Sequence, residues 1–100
     1  MKRMTINDVP SFLQENAETV VLDVRTPGEY KDGHLAGAVN LPLGSLSEAK
    51  DRYSKKDPLL LYCYSGSRSR LGALLLKLRG FKNVQNVGGI SDYTGELDKE

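Results

Sequence analysis

The single cysteine of this 100-residue chain, Cys63, stands in the segment YCYSGSRS at residues 62–69. An apolar run, Leu59–Cys63, precedes the loop, and a helical pattern follows it. A strand-to-helix turn rich in serine and glycine directs backbone N–H groups inward, and the helix N-terminus adds about half a positive charge. Such a turn binds anions and favours a thiolate over a thiol. The segment therefore predicts a nucleophilic cysteine in an anion-binding loop.

The residues after the cysteine each have a predicted part in that loop. Gly66 relieves the steric cost of a tight turn. Ser65 and Ser67 add hydroxyl donors, and Arg68 supplies a planar fork for oxyanions. Tyr64 is predicted to project outward, where it either shapes access to the sulfur or has no role. The alternative is a structural cysteine at a strand end, since free cysteine is among the most buried residue types.

Three further residues are candidates for the same site. Asp23 and Arg25 follow another apolar run, and they either line the rim of the site or form a buried ion pair that holds the loop; the second interpretation is favoured. His34 resembles a general base for the thiol, but a structural role is favoured because an electrostatically stabilised thiolate needs no base. With one histidine and one cysteine in the chain, we expect neither a metal site nor a cofactor.

Apolar runs bounded by turn residues predict the strands that position this loop. Runs at residues 20–24 and 59–63 are continuous, which is typical of strands buried on both faces of a parallel sheet. Weaker candidates lie at 38–40 and 84–87, and an edge strand is predicted at 4–6.

Helical patterns lie between these runs. They predict helices over residues 8–15 with Asn7 as N-cap, over 43–53, and over about 67–79 with Gly80 after its end. In the last of these, four leucines fall on one face: Leu71, Leu74, Leu75 and Leu78. A short final helix is predicted within 88–100. This alternation predicts an α/β fold with a mostly parallel sheet, in a single domain over residues 1–100.

Three long segments taken in order resemble the single-domain rhodanese family of sulfurtransferases: residues 20–43, 59–69 and 76–90. The resemblance implies a three-layer sandwich with a central five-stranded, mostly parallel sheet and helices on both faces. It also implies that residues 63–68 form the catalytic loop, and that Gly88 and Gly89 form a turn before the last helix. Tyr64 departs from the arginine that many thiosulfate-using members carry after the cysteine, which leaves the donor open.

The family mechanism implies that the Cys63 thiolate takes sulfur from thiosulfate or a related donor and becomes a persulfide. The sulfur then passes to cyanide or to an external thiol, either a small thiol or a thioredoxin-like protein. No second cysteine exists to release it internally. The alternative is a noncatalytic binding or sulfur-carrier module. Phosphatases of related fold have a loop of the pattern His-Cys-x5-Arg. The loop of this chain does not match that pattern, because four residues separate Cys63 from Arg68 and tyrosine precedes the cysteine.

Composition excludes several other classes of protein. The net charge of +1 predicts neither nucleic-acid binding nor a polybasic membrane anchor. The chain contains no apolar stretch of roughly 20 residues, the length that a membrane span needs. We therefore expect a monomer that resides in the cytoplasm, or in the periplasm if a leader peptide has been removed.

Overall fold

The computed structural model describes residues 3–100 and shows an α/β fold. The strands are β1 (Val20–Asp23), β2 (Val39–Asn40), β3 (Leu59–Cys63) and β4 (Val84–Gly89). The α-helices are α1 (Val9–Glu15), α2 (Pro27–Asp32), α3 (Ala49–Arg52) and α4 (Ser67–Leu78). Short 3-10 helices lie at Ile6–Asp8, Leu43–Glu48 and Ile90–Asp92. The strands form one parallel sheet in the order β2-β1-β3-β4.

The core lies on both faces of this sheet because successive side chains of a strand point to opposite sides. In β3, Leu59, Leu61 and Cys63 pack with residues of α3 and α4. Leu60 and Tyr62 of the same strand pack on the other face, with residues of α1 and the first 3-10 helix. These two clusters confirm the prediction of a parallel sheet with helices on both faces.

The fifth strand predicted at residues 4–6 is wrong: the sheet of the described chain has four strands. The physical reason is that this segment uses its backbone groups locally. The Thr5 N–H donates to Oδ2 of Asp8 at 2.9 Å, and the Asp8 N–H donates to the Thr5 carbonyl at 2.9 Å. This capping box begins a 3-10 helix at Ile6, so the Thr5 N–H has no role in a strand ladder.

Residues near the C-terminus are held by distant parts of the chain instead of forming the predicted helix. Only the 3-10 turn Ile90–Asp92 is helical there. Asn7, predicted as an N-cap, donates to the Asp92 carbonyl and accepts from the Thr94 N–H. Further on, Asp98 forms a β-bridge with His34. The helix predicted over 43–53 is a 3-10 helix followed by the one-turn α3.

Three of the four leucines that fall on one face of α4 are turned outward. Leu71, Leu74 and Leu78 are 47%, 53% and 74% exposed. The buried positions are the smaller Ser69, Gly72 and Ala73, together with Leu76. At Gly72, an added Cβ would lie 3.1 Å from a Leu61 methyl group. The helix therefore packs on the sheet through its small residues. No helix within residues 3–100 is long and apolar enough to cross a membrane.

Candidate functional site

Cys63 is the last residue of β3, which lies between β1 and β4 in the sheet. Its side chain faces the layer that contains α4, and the residue has no exposed surface. Only three residues separate it from Ser67, the first residue of α4. Ligands of open α/β sheets bind outside the carboxyl ends of the strands. The fold therefore brings the cysteine to the place where both the sheet and the helix N-terminus favour an anion.

Hydrogen bonds to the sulfur favour its charged form. The Gly66 N–H donates to Sγ of Cys63 at 3.0 Å, and the Ser69 hydroxyl lies 3.5 Å from the same atom. Burial raises the pKa of the Cys63 thiol, but these two contacts and the backbone N–H groups of Ser69 and Arg68 lower it by more. The net pKa lies below the ordinary value of a cysteine. The loop thus shifts Cys63 toward its thiolate form, which is the direction that the strand-to-helix turn predicted.

The loop is joined to β4 by Ser69 and Asn86, two residues that the sequence analysis did not assign to the site. The Ser69 hydroxyl lies 2.7 Å from Oδ1 of Asn86 and 3.1 Å from the Gly66 carbonyl. The Asn86 amide donates to the same Gly66 carbonyl at 3.3 Å, and its Oδ1 accepts from the Gly88 N–H at 3.0 Å. Ser69 is the last residue of the segment YCYSGSRS, so its sequence position could have assigned it to the site. Asn86 lies 23 positions after Cys63, and nothing in the sequence around it indicates a contact with the loop.

The Ser69 hydroxyl has one hydrogen and several acceptors. With a neutral thiol, Oδ1 of Asn86 at 2.7 Å is the better acceptor than Sγ at 3.5 Å. A thiolate competes for that hydrogen because bonds to an ionised acceptor are roughly twice as strong. Ser69 is thus a donor that the sulfur gains as it becomes charged.

Glycines let the loop approach β4 closely. Gly66 has φ +100°, a left-handed conformation, and a Cβ there would lie 3.3 Å from the Gly88 backbone. At Gly89 a Cβ would lie 2.2 Å from the Tyr64 carbonyl oxygen, so there is no room for a side chain at this position. The prediction of a turn at Gly88 and Gly89 is wrong, because both pair with β3, opposite Tyr62 and Cys63. An irregularity in that register, with φ +107° at Gly88, shapes this end of the strand.

Arg68 is held by a partner that the sequence analysis missed. Its guanidinium donates from Nη1 and Nη2 to the two carboxylate oxygens of Glu29, at 2.8 and 3.0 Å. This contact with Arg68 lowers the pKa of Glu29 to about 2. The fork predicted for a donor oxyanion is therefore occupied by a carboxylate. Thr26 and Glu29 form the capping box of α2, and this cap was the visible sequence signal.

The remaining predicted loop residues lie at the surface. Tyr64 is 56% exposed and, with Arg25 and Glu29, lines a cavity of about 250 Å³. Ser65 and Ser67 are exposed, and their hydroxyl oxygens lie 3.0 Å apart. They contribute to a second and wider groove, of about 870 Å³, on the side of α4. The loop thus separates two open surfaces.

Asp23 and Arg25 form a buried ion pair at the carboxyl end of β1. Nη2 of Arg25 lies 2.7 Å from Oδ2 of Asp23, and the same nitrogen donates to the Gly33 carbonyl at 2.6 Å. Asp23 has no exposed surface and Arg25 is 5% exposed. This geometry agrees with the interpretation that Asp23 and Arg25 form a buried structural ion pair. Arg25 also borders the cavity at Tyr64.

His34 is engaged by its own neighbours. Its Nδ1 lies 2.7 Å from the Tyr30 carbonyl oxygen, and the two rings stack with centroids 3.7 Å apart. These contacts agree with a structural role. Within residues 3–100, no three histidine, cysteine, aspartate or glutamate side chains group as metal ligands.

Removing the Ser69 hydroxyl is expected to raise the pKa of Cys63. In Ser69→Ala the pH at which alkylation by iodoacetamide reaches half its maximum moves upward, because the thiolate loses a donor. At a fixed pH below that midpoint the rate is expected to fall by about tenfold or more, because a hydrogen bond to a charged group contributes about 1.5–3 kcal/mol. Ser67→Ala, which removes an exposed hydroxyl from the same loop, is the matched control and keeps the wild-type profile. An unchanged midpoint in Ser69→Ala contradicts the role of this hydroxyl.

Comparison with known proteins places these features in a family. The family model of the rhodanese-like domain matches residues 8–96. The thiosulfate sulfurtransferase GlpE of Coxiella burnetii is 34% identical over 82 residues, which are 81% of this chain and 77% of that protein. The solved structure of a rhodanese with anions from E. coli has a TM-score of 0.74 and 32% identity, and the match covers 82% of this chain and 99% of that one.

A further relative differs in size from this chain. The putative sulfur carrier protein YrkF of Bacillus subtilis is 38% identical over 79 residues, or 78% of this chain. The match spans only 43% of YrkF, so the chain corresponds to less than half of that protein.

Proposed function

The chain belongs to the rhodanese-like domain family, and we propose from this premise that it is a sulfurtransferase that carries sulfur as a persulfide on Cys63. The observation that carries the proposal is the hydrogen bonding of the sulfur, which accepts from the Gly66 N–H and lies near the Ser69 hydroxyl. A nucleophile of this kind needs a stabilised thiolate more than it needs a base.

In the first step, the Cys63 thiolate attacks the outer sulfur of thiosulfate. A new S–S bond forms, the S–S bond of thiosulfate breaks, and its electron pair leaves with sulfite. Cys63–S⁻ and S₂O₃²⁻ thus give Cys63–S–S⁻ and SO₃²⁻, with three negative charges on each side. Preorganised N–H donors stabilise charge at the terminal sulfur as they do in an oxyanion hole.

The loop also determines how the donor reaches the sulfur. Cys63 has no exposed surface, so loop atoms that cover it must move before a donor makes contact. The Arg68 charge is compensated by Glu29, and the oxyanion of the donor depends on backbone N–H groups and on the arginine N–H groups that Glu29 does not use. Tyr64 also stands where a cation is often found, so the loop offers little uncompensated positive charge to a dianion such as thiosulfate. Less strongly charged sulfur donors are therefore candidates beside thiosulfate.

In the second step, an external nucleophile removes the sulfur. Cyanide attacks the outer sulfur of the persulfide, the S–S bond breaks, and thiocyanate leaves while Cys63 regains its thiolate. A thiol acceptor becomes a persulfide in the same way. No second cysteine is present in the chain, so the acceptor comes from outside it.

A sulfur-carrier module is the second candidate function, and the similarity to the putative sulfur carrier YrkF favours it. Such a module is loaded with sulfur by a partner and not by thiosulfate itself. An enzyme makes many equivalents of thiocyanate per chain from thiosulfate and cyanide, whereas a carrier that a partner has loaded beforehand makes about one equivalent in a single discharge to cyanide.

Intact-mass spectrometry tests the proposal. After incubation with thiosulfate, the protein is expected to gain one sulfur, about 32 Da, as a persulfide. Cyanide is expected to remove that mass and release thiocyanate. A polysulfide is tested in parallel because the donor remains open. If no sulfane donor adds mass to the folded protein, the enzyme is excluded.

A further inference from the structure

The outward leucines of α4 form one wall of the groove beside the catalytic loop. The groove, of about 870 Å³, is lined by Leu71 and Leu74 together with Ser65, Gly66 and Ser67 of the loop. Leu71 and Leu74 are about half exposed. An apolar patch that does not contribute to the core and adjoins a reactive residue is typical of an interaction surface.

Two cations flank the apolar wall. Arg70 and Lys77 line the groove and are exposed. They are seven residues apart, or about 10 Å along the helix, and lie on the same face as Leu74. The rest of the lining is Asn86 and Gly88, so no carboxylate belongs to it. The groove therefore presents leucines between two positive charges, with one end at the loop that covers Cys63.

The positive charges beside the leucines indicate what kind of molecule can bind in the groove. A second copy of the chain docked through the same groove would bring arginine and lysine against arginine and lysine, since a two-fold interface pairs a patch with itself. A partner with carboxylates around an apolar centre satisfies both parts of the surface. A small thiol or cyanide is too small to contact the loop and Lys77 at the same time.

We propose that this groove docks the sulfur acceptor, a protein whose reactive thiol lies next to apolar side chains and carboxylates. The inference rests on the proposed function, because it requires a persulfide on Cys63. The acceptor thiolate attacks the outer sulfur of Cys63–S–S⁻, and the S–S bond breaks. The acceptor leaves as R–S–S⁻ and Cys63 regains its thiolate, with two negative charges on each side of the reaction. No oxidant or reductant is consumed.

Transfer from the loaded protein to designed peptides tests the docking. The probes are two synthetic peptides with the same single cysteine and the same leucines, one with glutamates and one with lysines at the remaining charged positions. The protein is first loaded from thiosulfate, and transfer is followed by peptide mass. At low ionic strength the acidic peptide is expected to accept sulfur at least about tenfold faster than the basic one, and the difference shrinks with salt.

Variants connect that preference to the groove. Lys77→Glu is expected to remove or reverse the charge preference, and Leu74→Ser to slow the acidic peptide about tenfold, while both keep the wild-type rate of discharge to cyanide. Lys56→Glu is the matched control and keeps the preference, because exposed Lys56 lies before the amino end of β3, whereas the loop follows its carboxyl end.

The outcomes separate this inference from the function on which it rests. Failure to load sulfur, or to discharge it to cyanide, contradicts the proposed function. Normal loading and discharge with equal rates for both peptides, or with Lys77→Glu and Leu74→Ser unchanged, overturns the docking proposal. Sedimentation that shows a dimer abolished by Leu74→Ser also overturns it, because the groove is then an interface between copies of the chain.

Discussion

Replacing Cys63 by alanine is expected to abolish sulfur loading and turnover while the domain stays folded. Cys63 is the only thiol in the chain, so no other side chain can form the persulfide. The substitution removes one buried atom from the core, at a cost of about 1 kcal/mol in the free energy of unfolding. The loss of activity therefore follows from chemistry and not from unfolding.

The measurements are intact mass after thiosulfate, thiocyanate formation and thermal unfolding by circular dichroism. Cys63→Ser is the closer isostere, since its hydroxyl can accept from the Gly66 N–H yet has no anionic form near neutral pH. It is expected to be as inactive as Cys63→Ala, with a stability nearer to the wild type. Sulfur gained by either variant would place the nucleophile outside residue 63.

Replacing Gly89 by alanine is expected to damage the site without touching the sulfur. Gly89 has φ −123°, so its backbone accepts any residue. The added Cβ, however, would lie 2.2 Å from the Tyr64 carbonyl oxygen and 2.6 Å from Ser65 backbone atoms. Neither neighbour is a flexible side chain that could rotate away. The loop must shift, and the donor at Gly66 shifts with it.

A displacement of about 1 Å in a catalytic group costs on the order of a hundredfold in rate, and we expect a fall of that size in kcat/KM for thiosulfate with Gly89→Ala. Overpacking is expected to lower the free energy of unfolding by about 1–3 kcal/mol. The control is Gly28→Ala: it also adds one methyl group, but nothing lies within 4 Å, and the position is in α2. It is expected to keep both activity and stability. Wild-type turnover of Gly89→Ala would show that the loop does not depend on this close approach.

The sequence predicted those parts of the site that depend on neighbours in the chain. The run Leu59–Cys63 is continuous and apolar because β3 is buried on both faces, and three residues suffice to turn from Cys63 into α4. The local geometry of that turn already places N–H donors around the sulfur. The lowered pKa of Cys63 was therefore predictable from a short stretch.

Contacts between distant segments were not predictable in the same way. The spacing of Thr26 and Glu29 is that of a capping box, but nothing in it indicated that Glu29 holds Arg68, 39 residues later. Asn86 reaches the loop only because β4 lies beside β3. The edge strand at residues 4–6 failed because the Thr5–Asp8 capping box was the stronger local signal.

By itself, the sequence determined the α/β class, the buried strand that ends at Cys63 and the loop that follows it, because each depends on short-range periodicity and turn chemistry. The tertiary structure decided which face of α4 is buried. Four leucines fall on one face of α4, but close approach at Gly72 requires small residues against the sheet. Leu71 and Leu74 are left beside the loop, because how tightly a helix can pack depends on the surface it meets and not on its own pattern.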